Sequence, residues 1–247
     1  MPPNISELGL TISSAGISIG TFGGAVSYNR SSVGSLKFTV SNSYLSAAPS
    51  NDWSFGTNDF TIEWWQYQTA APGAGAHQFI RVFTVDEYPT IDLGVSIESS
   101  NTLYFWAGGG STPITNRTLT SYISAWTHIA ITRSGTNLKI FANGTQLGAT
   151  VSNSTNIVAN TKNLYIGADA AAESNTRFPG YITNFRMVKG AAIYTSNFTP
   201  SFPLQSTSET SLLLLASNNA DRFKDSSNYN RTIVTAGNTT WSSLTPT

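Results

Sequence analysis

The chain has 247 residues, enough to bury a full hydrophobic core, and all-β domains of this length are commonly single. Only 11% of the residues are charged and the formal net charge is +0, so no basic field exists to hold nucleic acid or anionic lipid. Cysteine is absent, which excludes a disulfide framework, a thiolate zinc site and a cysteine nucleophile, and no apolar run approaches the ~20 residues of a membrane-spanning helix.

In residues 1–32, Leu8, Leu10 and Ile12, then Ile17 and Ile19, alternate with small residues across a Ser-Ser-Ala-Gly break and predict a small hairpin. Such a hairpin is marginal alone in water, so this arm packs on the rest of the chain, on a second copy, or on a larger assembly. The MPPNISELGLTISS start has no basic n-region and no continuous apolar h-region, so no secretory signal peptide is read. Residues 33–247 carry the main domain. Strand-like runs follow at 36–40, 60–67, 79–85, 91–97, 103–106, 126–133, 138–142, 145–149, 164–167 and 181–188, separated by Gly, Pro, Asn and Ser clusters. Without a sustained 3.6-residue period, this pattern predicts an antiparallel β-sandwich. Asn143-Gly144 predicts a two-residue hairpin, because both residues tolerate positive φ and such turns match strand twist.

The stretch WTHIAITRSGTNLKIFANGTQLGA, Trp126 to Ala149, resembles the laminin-G-like, concanavalin A-like jelly rolls. Their recurrent pattern is a Trp-x-His-hydrophobic-Ala strand followed by a strand ending in Asn-Gly. Tyr44-Leu45, the Phe60-Thr61-Ile62-Glu63-Trp64-Trp65 strand, Leu164-Tyr165-Ile166-Gly167 and Gly180 to Arg186 resemble further family strands in the family's order. Lys189 to Leu204, KGAAIYTSNFTPSFPL, resembles a variant common among phage and environmental-virus members. The resemblance implies an all-β, antiparallel two-sheet jelly-roll sandwich with little helix. Leu212 to Leu215 and Phe223 to Asn228 resemble a segment that usually opens such a domain, so residues 210–241 either complete this sandwich or begin a second module.

The superfamily includes glucanases, whose retaining members set carboxylates at alternate positions of one strand, in a Glu-x-Asp-x-x-Glu pattern. No such pattern occurs here: Glu63 is followed by Trp64, Trp65, Gln66 and Tyr67, and no acidic residue lies between Asp92 and Glu98. Serine-type catalysis needs a histidine base, and only His77 and His128 exist. His128 on the family strand reads as a structural imidazole, and His77 as a loop residue. The expectation is a protein that is not an enzyme. Many laminin-G-like domains hold Ca²⁺ at the sandwich rim, and Asp169 and Glu173 are the rim acids that the resemblance offers for it; solvated loop acids are the alternative.

Sugar binding on such a fold works through aromatic rings that stack on pyranose faces beside amides and carboxylates. The loop residues of those types are Trp53, Asp86, Tyr88, Trp106, Asn116 and Arg117. On β-strand parity, Trp65 and Tyr67 lie opposite Phe60, Ile62 and Trp64, so one set is core and the other either joins a second layer or forms an aromatic platform on the outer face. The expected function is a lectin-like recognition module that is displayed on a virus particle and contacts glycans or host surface polysaccharide through rim loops. Two alternatives stand beside it: a structural virion protein, such as a capsid decoration or fibre subunit docked to other virion proteins or to its own copies through residues 1–32, and a secreted protein numbered from an added Met.

Overall fold

The structure, a computed structural model, describes residues 9–13, 16–21, 24–27, 33–38, 43–72, 79–86, 90–98, 101–120, 122–169 and 176–246. His77, Tyr88 and Glu173 lie outside the described residues.

In the N-terminal arm β1 (Gly9–Ser13), β2 (Gly16–Thr21) and β3 (Gly24–Ser27) form an antiparallel sheet of their own, with β2 in the middle. Hairpin pairing of Leu10 with Ile19 and Ile12 with Ile17 fits the alternation, while β3 is a third strand that the Gly-rich sequence did not signal.

The remaining strands build two sheets. One contains β5 (Tyr44–Ala47), β7 (Phe79–Val85), β8 (Ile91–Glu98), β9 (Thr102–Gly110), β10 (Thr115–Thr118), β15 (Leu164–Ile166) and β18 (Ile233–Ala236), in the order β10-β9-β8-β7-β15-β5-β18. The other contains β4 (Ser35–Phe38), β6 (Phe60–Gln68), β11 (Trp126–Ser134), β12 (Asn137–Ala142), β13 (Thr145–Gln146), β14 (Val151–Ser152), β16 (Gly180–Lys189), β17 (Thr210–Leu214) and β19 (Thr240–Ser242). Its main order is β13-β12-β11-β6-β16-β4-β19, with β14 beside β12 and β17 beside β16. All strand pairs are antiparallel, and almost no helix occurs among the described residues beyond a 3-10 turn at Asn51–Trp53. This is the all-β two-sheet sandwich that the turn-punctuated pattern predicts.

Strand parity fixes the core. Phe60, Ile62 and Trp64 on the inner face of β6 are fully buried, and Trp64 meets Phe83 of the other sheet edge-to-face at 5.9 Å while Phe60 lies 6.1 Å from Phe105. Full burial of each such ring stabilises the fold by roughly 1.5–3 kcal/mol. The C-terminal third is woven through both sheets: β17 pairs with β16, β18 with β5 and β19 with β4. Asp225 pins that return path, its buried carboxylate accepting hydrogen bonds from the backbone N–H groups of Leu213, Ser227 and Arg231 and from the Ser227 hydroxyl.

The predicted run at 145–149 yields only the two-residue β13. Beyond it the carbonyls of Leu147 and Ala149 accept hydrogen bonds from Arg117 rather than from a neighbouring strand.

Candidate functional site

The outer face of the larger sheet is divided in two. Over one part the segment 190–204 crosses β6 and β11 as a strap. Thr61 Oγ1 donates to the Ala191 carbonyl and accepts from the Ile193 N–H, Thr132 Oγ1 donates to the Tyr194 carbonyl, and Trp65 Nε1 donates to the Ser201 carbonyl. Below the strap lies a buried polar clasp. Glu63 points outward from β6 yet is 0% exposed. Its Oε1 accepts from Nε and Nη2 of Arg186, and its Oε2 accepts from the Tyr194 hydroxyl at 2.9 Å. His128 Nε2 lies 3.0 Å from the same Oε2, and since a carboxylate only accepts, that nitrogen carries the hydrogen. Burial pushes the Glu63 carboxyl up, but the His128 hydrogen bond and the Arg186 charge outweigh it, so it titrates below the ordinary carboxylate value. The Tyr194 phenol is pushed up by burial and by Glu63, which keeps it a neutral donor.

This clasp explains the Trp-x-His and Asn-Gly pattern. Asn143 has φ 48° and Gly144 φ 76°, the pair of left-handed residues that the hairpin needs. Asn143 Oδ1 accepts from the His128 backbone N–H, the Phe198 N–H donates to the Gly144 carbonyl, and a Cβ on Gly144 would overlap the Phe198 carbonyl oxygen. The signature residues therefore position the strap, and Glu63 and His128 beneath it are closed off from solvent.

The other part of the outer face is uncovered by the strap and carries a row of aromatic rings. Trp126 of β11 stands opposite Tyr67 of β6, and Tyr67 opposite Tyr181 of β16. Directly opposed residues share a face, and the ring centroids are 5.7 Å and 5.9 Å apart. Tyr67 is inclined by 61° to Trp126 and 80° to Tyr181, so the row is corrugated. All three residues are half-buried, and the indole N–H of Trp126 is itself buried without a hydrogen-bond partner. Next along the row, Lys37 of β4 is opposite Tyr181, with Nζ 5.8 Å from that ring's centroid. At the loop end Thr69 and Ser124 are exposed, and Gly180, with φ 150°, lets β16 approach β6 where any Cβ would strike the Tyr67 carbonyl oxygen.

The rim residues singled out from sequence do not converge on such a surface. Trp53 is 0% exposed, a core residue whose ring faces the Arg231 guanidinium at 5.2 Å. Trp106 is 6% exposed and its Nε1 donates to Ser96 Oγ. Neither tryptophan has a free face on which a sugar could stack, because each follows strand parity or turn packing into the interior; this corrects their assignment to a binding rim. Arg117 is half-buried and its guanidinium donates to the carbonyls of Asn116, Leu147 and Ala149 and to Thr115 Oγ1, a structural tie. Asn116 is exposed on β10. Asp86, at φ 71°, pairs with Lys162 at 3.4 Å. Its charge, after burial, is the second cause that pushes the Asp92 carboxyl up. Asp169 is 6% exposed, 3.9 Å from Arg81 Nε, and accepts from Thr176 Oγ1, while Glu173, the other rim acid, lies outside the described residues. Among the described residues no cluster of three or more His, Cys, Asp or Glu could hold a metal ion.

Sequence parity put Trp65 and Tyr67 on one strand face without saying which face is core, and the structure makes it the outer one. The structure separates them: Trp65 packs 6.1 Å from Phe202 of the strap, and Tyr67 lies in the open row. Trp126 and Tyr181 join it only through strand register, which sequence alone does not show.

An antiparallel two-sheet sandwich with almost no helix is the architecture of the concanavalin A-like jelly rolls. Residues 39–193 match the laminin G-like family model described as the concanavalin A-like lectin/glucanases superfamily, and the chain belongs to that family. Among solved structures, it is similar to a protein from Bacteroides ovatus described as a candidate carbohydrate binding protein, at 13% identity and a TM-score of 0.57 over 84% of this chain. The chain spans 61% of that protein. It is also similar to a heptameric SAP-like pentraxin from Limulus polyphemus, at 12% identity and a TM-score of 0.52, covering 86% of this chain and 95% of the pentraxin. A sialidase from Trypanosoma rangeli aligns at 16% identity and a TM-score of 0.44, over 67% of this chain and 26% of the enzyme. At these identities the likenesses concern the fold. No curated protein matches by sequence.

Proposed function

We propose that this chain is a non-enzymatic glycan-binding module that takes a sugar chain along the Trp126–Tyr67–Tyr181 row. The observation that carries the reading is the contrast on one sheet face: beneath the strap His128 and Glu63 are fully buried and Trp65 Nε1 is tied to the Ser201 carbonyl, while Trp126, Tyr67 and Tyr181 beyond it are half-buried and make no hydrogen bond or ring contact with a strap residue. The rings pack edge to face at 5.7 and 5.9 Å, an ordinary aromatic contact distance, and together make a corrugated apolar surface of the kind on which pyranose faces rest. Thr69 and Ser124 add hydroxyls beside it. Membership of a superfamily that contains lectins supports the reading. Its glucanase side finds no support in the acidic residues, since Glu63 is enclosed and paired with Arg186.

The test is a glycan array followed by calorimetry on the best ligand with Tyr67→Ala, Trp126→Ala and Tyr181→Ala. Each loss is expected to cost about 1–2 kcal/mol, roughly 5–30-fold in affinity. A correctly folded triple variant that binds as tightly as the parent would refute the row as the site, and release of shorter sugars on incubation would refute the non-enzymatic reading.

Display on a virus particle is a further part of this proposal, supported by the resemblance of residues 189–204 to phage variants; detection of the chain on purified particles tests it. The alternative of a docking arm rests on the separate β1–β3 sheet, and its test is whether deleting residues 1–32 prevents incorporation.

A further inference from the structure

We infer that the ligand of the aromatic row is an acidic polysaccharide, its anionic substituent paired with Lys37; this rests on the glycan-binding reading above. Most basic side chains described in this protein are engaged by its own oxygens. Arg186 is held by Glu63, Arg231 by Asp52, Arg117 and Arg133 by backbone carbonyls, Lys162 by Asp86 and Lys189 by the Asn51 carbonyl. Lys37 differs. It has no hydrogen bond or ion pair among the described residues, and its ammonium lies over the Tyr181 ring at the end of the row.

The surroundings reinforce this. The residues opposed along the row are Trp126, Tyr67, Tyr181, Lys37 and Thr240, with no carboxylate among them. Glu63 is four residues from Tyr67 on the same strand face, but it is enclosed and already neutralised by Arg186. An ammonium held against a half-buried ring has lost part of its hydration, so a ligand anion beside it gains more than it would beside a fully solvated lysine. A sugar chain seated on three rings brings its next unit to Lys37. A carboxylate or sulfate ester there forms an ion pair that a neutral hydroxymethyl group cannot form.

Three ligands with one backbone test the inference: a β-1,4-linked glucan hexamer, the same oligomer oxidised to the uronate at C6, and its C6 sulfate ester. Affinity is measured by calorimetry for the parent chain, Lys37→Gln and Trp126→Ala. At low salt the parent is expected to bind one or both charged forms at least tenfold tighter than the neutral form; whichever is tighter distinguishes uronate from sulfate. In Lys37→Gln the preference should fall below twofold, and in the parent it should shrink at 1 M salt, where the Debye length is about 3 Å. Equal binding of all three ligands, or a preference that survives Lys37→Gln, overturns the acidic assignment and leaves the row intact as a glycan site. No binding by the parent to any of the three, or binding that Trp126→Ala does not weaken, overturns the row and this inference with it. Thermal unfolding of each variant confirms that it is folded.

Discussion

Replacing Glu63 by Gln keeps the side chain's shape and removes its charge. Arg186, 6% exposed at its side chain, then keeps a buried positive charge with only an amide oxygen and the Gln205 carbonyl, both uncharged, to receive it. The new amide nitrogen, a donor, meets either the Arg186 guanidinium, which only donates, or His128 and Tyr194, which must then turn from donors to acceptors. Breaking one side of a buried pair typically costs 3–5 kcal/mol. Retained acceptor capacity places Glu63→Gln at about 3 kcal/mol, which for a chain of this size lowers Tm by roughly 6–12 °C. Because Tyr194 belongs to the strap, the loss should be local as well as global, and chymotrypsin should cut at Tyr194 and Phe198 faster in the variant. Calorimetry and timed proteolysis measure the two effects. A fall in Tm below about 2 °C with unchanged proteolysis would refute the clasp.

The same carboxylate sets an acid limit: its pKa is lowered in the folded state, so the stability it contributes is present above about pH 4.5, the ordinary value, and is lost as pH falls from there through the lowered value. Urea unfolding between pH 7 and 3 should show this fall in the parent and a flatter profile in Glu63→Gln. Gly144→Ala should cost more than Gly135→Ala, since both have positive φ but only the Gly144 Cβ would strike the strap; the shared left-handed strain is about 1–2 kcal/mol, and equal losses would refute the contact. Trp53→Ala should destabilise by about 3–5 kcal/mol and leave glycan affinity within twofold, which unfolding and calorimetry check together.

Alternation and turn chemistry made the sandwich readable because each strand of the sandwich core buries one face and each break carries Gly, Pro or Asn. Besides β3, the strands that sequence missed are β10, β14, β18 and β19, short strands such as Thr115–Thr118 that bury no continuous face and so leave no period-two signal. The site was harder to read. Trp53 looked like a loop residue because its neighbours Asp52 and Ser54 are polar, and Trp106 because Gly108-Gly109-Gly110 follows so closely, yet a tryptophan beside a turn can still fold inward. Trp126, Tyr67 and Tyr181 are far apart in the chain and meet only through register across three strands. Parity did narrow the choice for Tyr67, and pairing was the missing step.

Arg117 has a consequence for how copies of this chain coexist. It stands on β10, the outermost strand of the smaller sheet, and holds the carbonyls of Leu147 and Ala149, just beyond β13 at the rim of the larger one. At the opposite rim, β18 and β19 are successive strands that carry the chain from one sheet to the other. Open sheet edges are templates for stray strands of a neighbouring molecule, and a chain with a formal net charge of +0 lacks the long-range repulsion that keeps copies apart. Riveting one rim with a guanidinium and threading the chain across the other leaves fewer backbone groups for such a strand to join, so resistance to aggregation resides in the edges rather than in the charge.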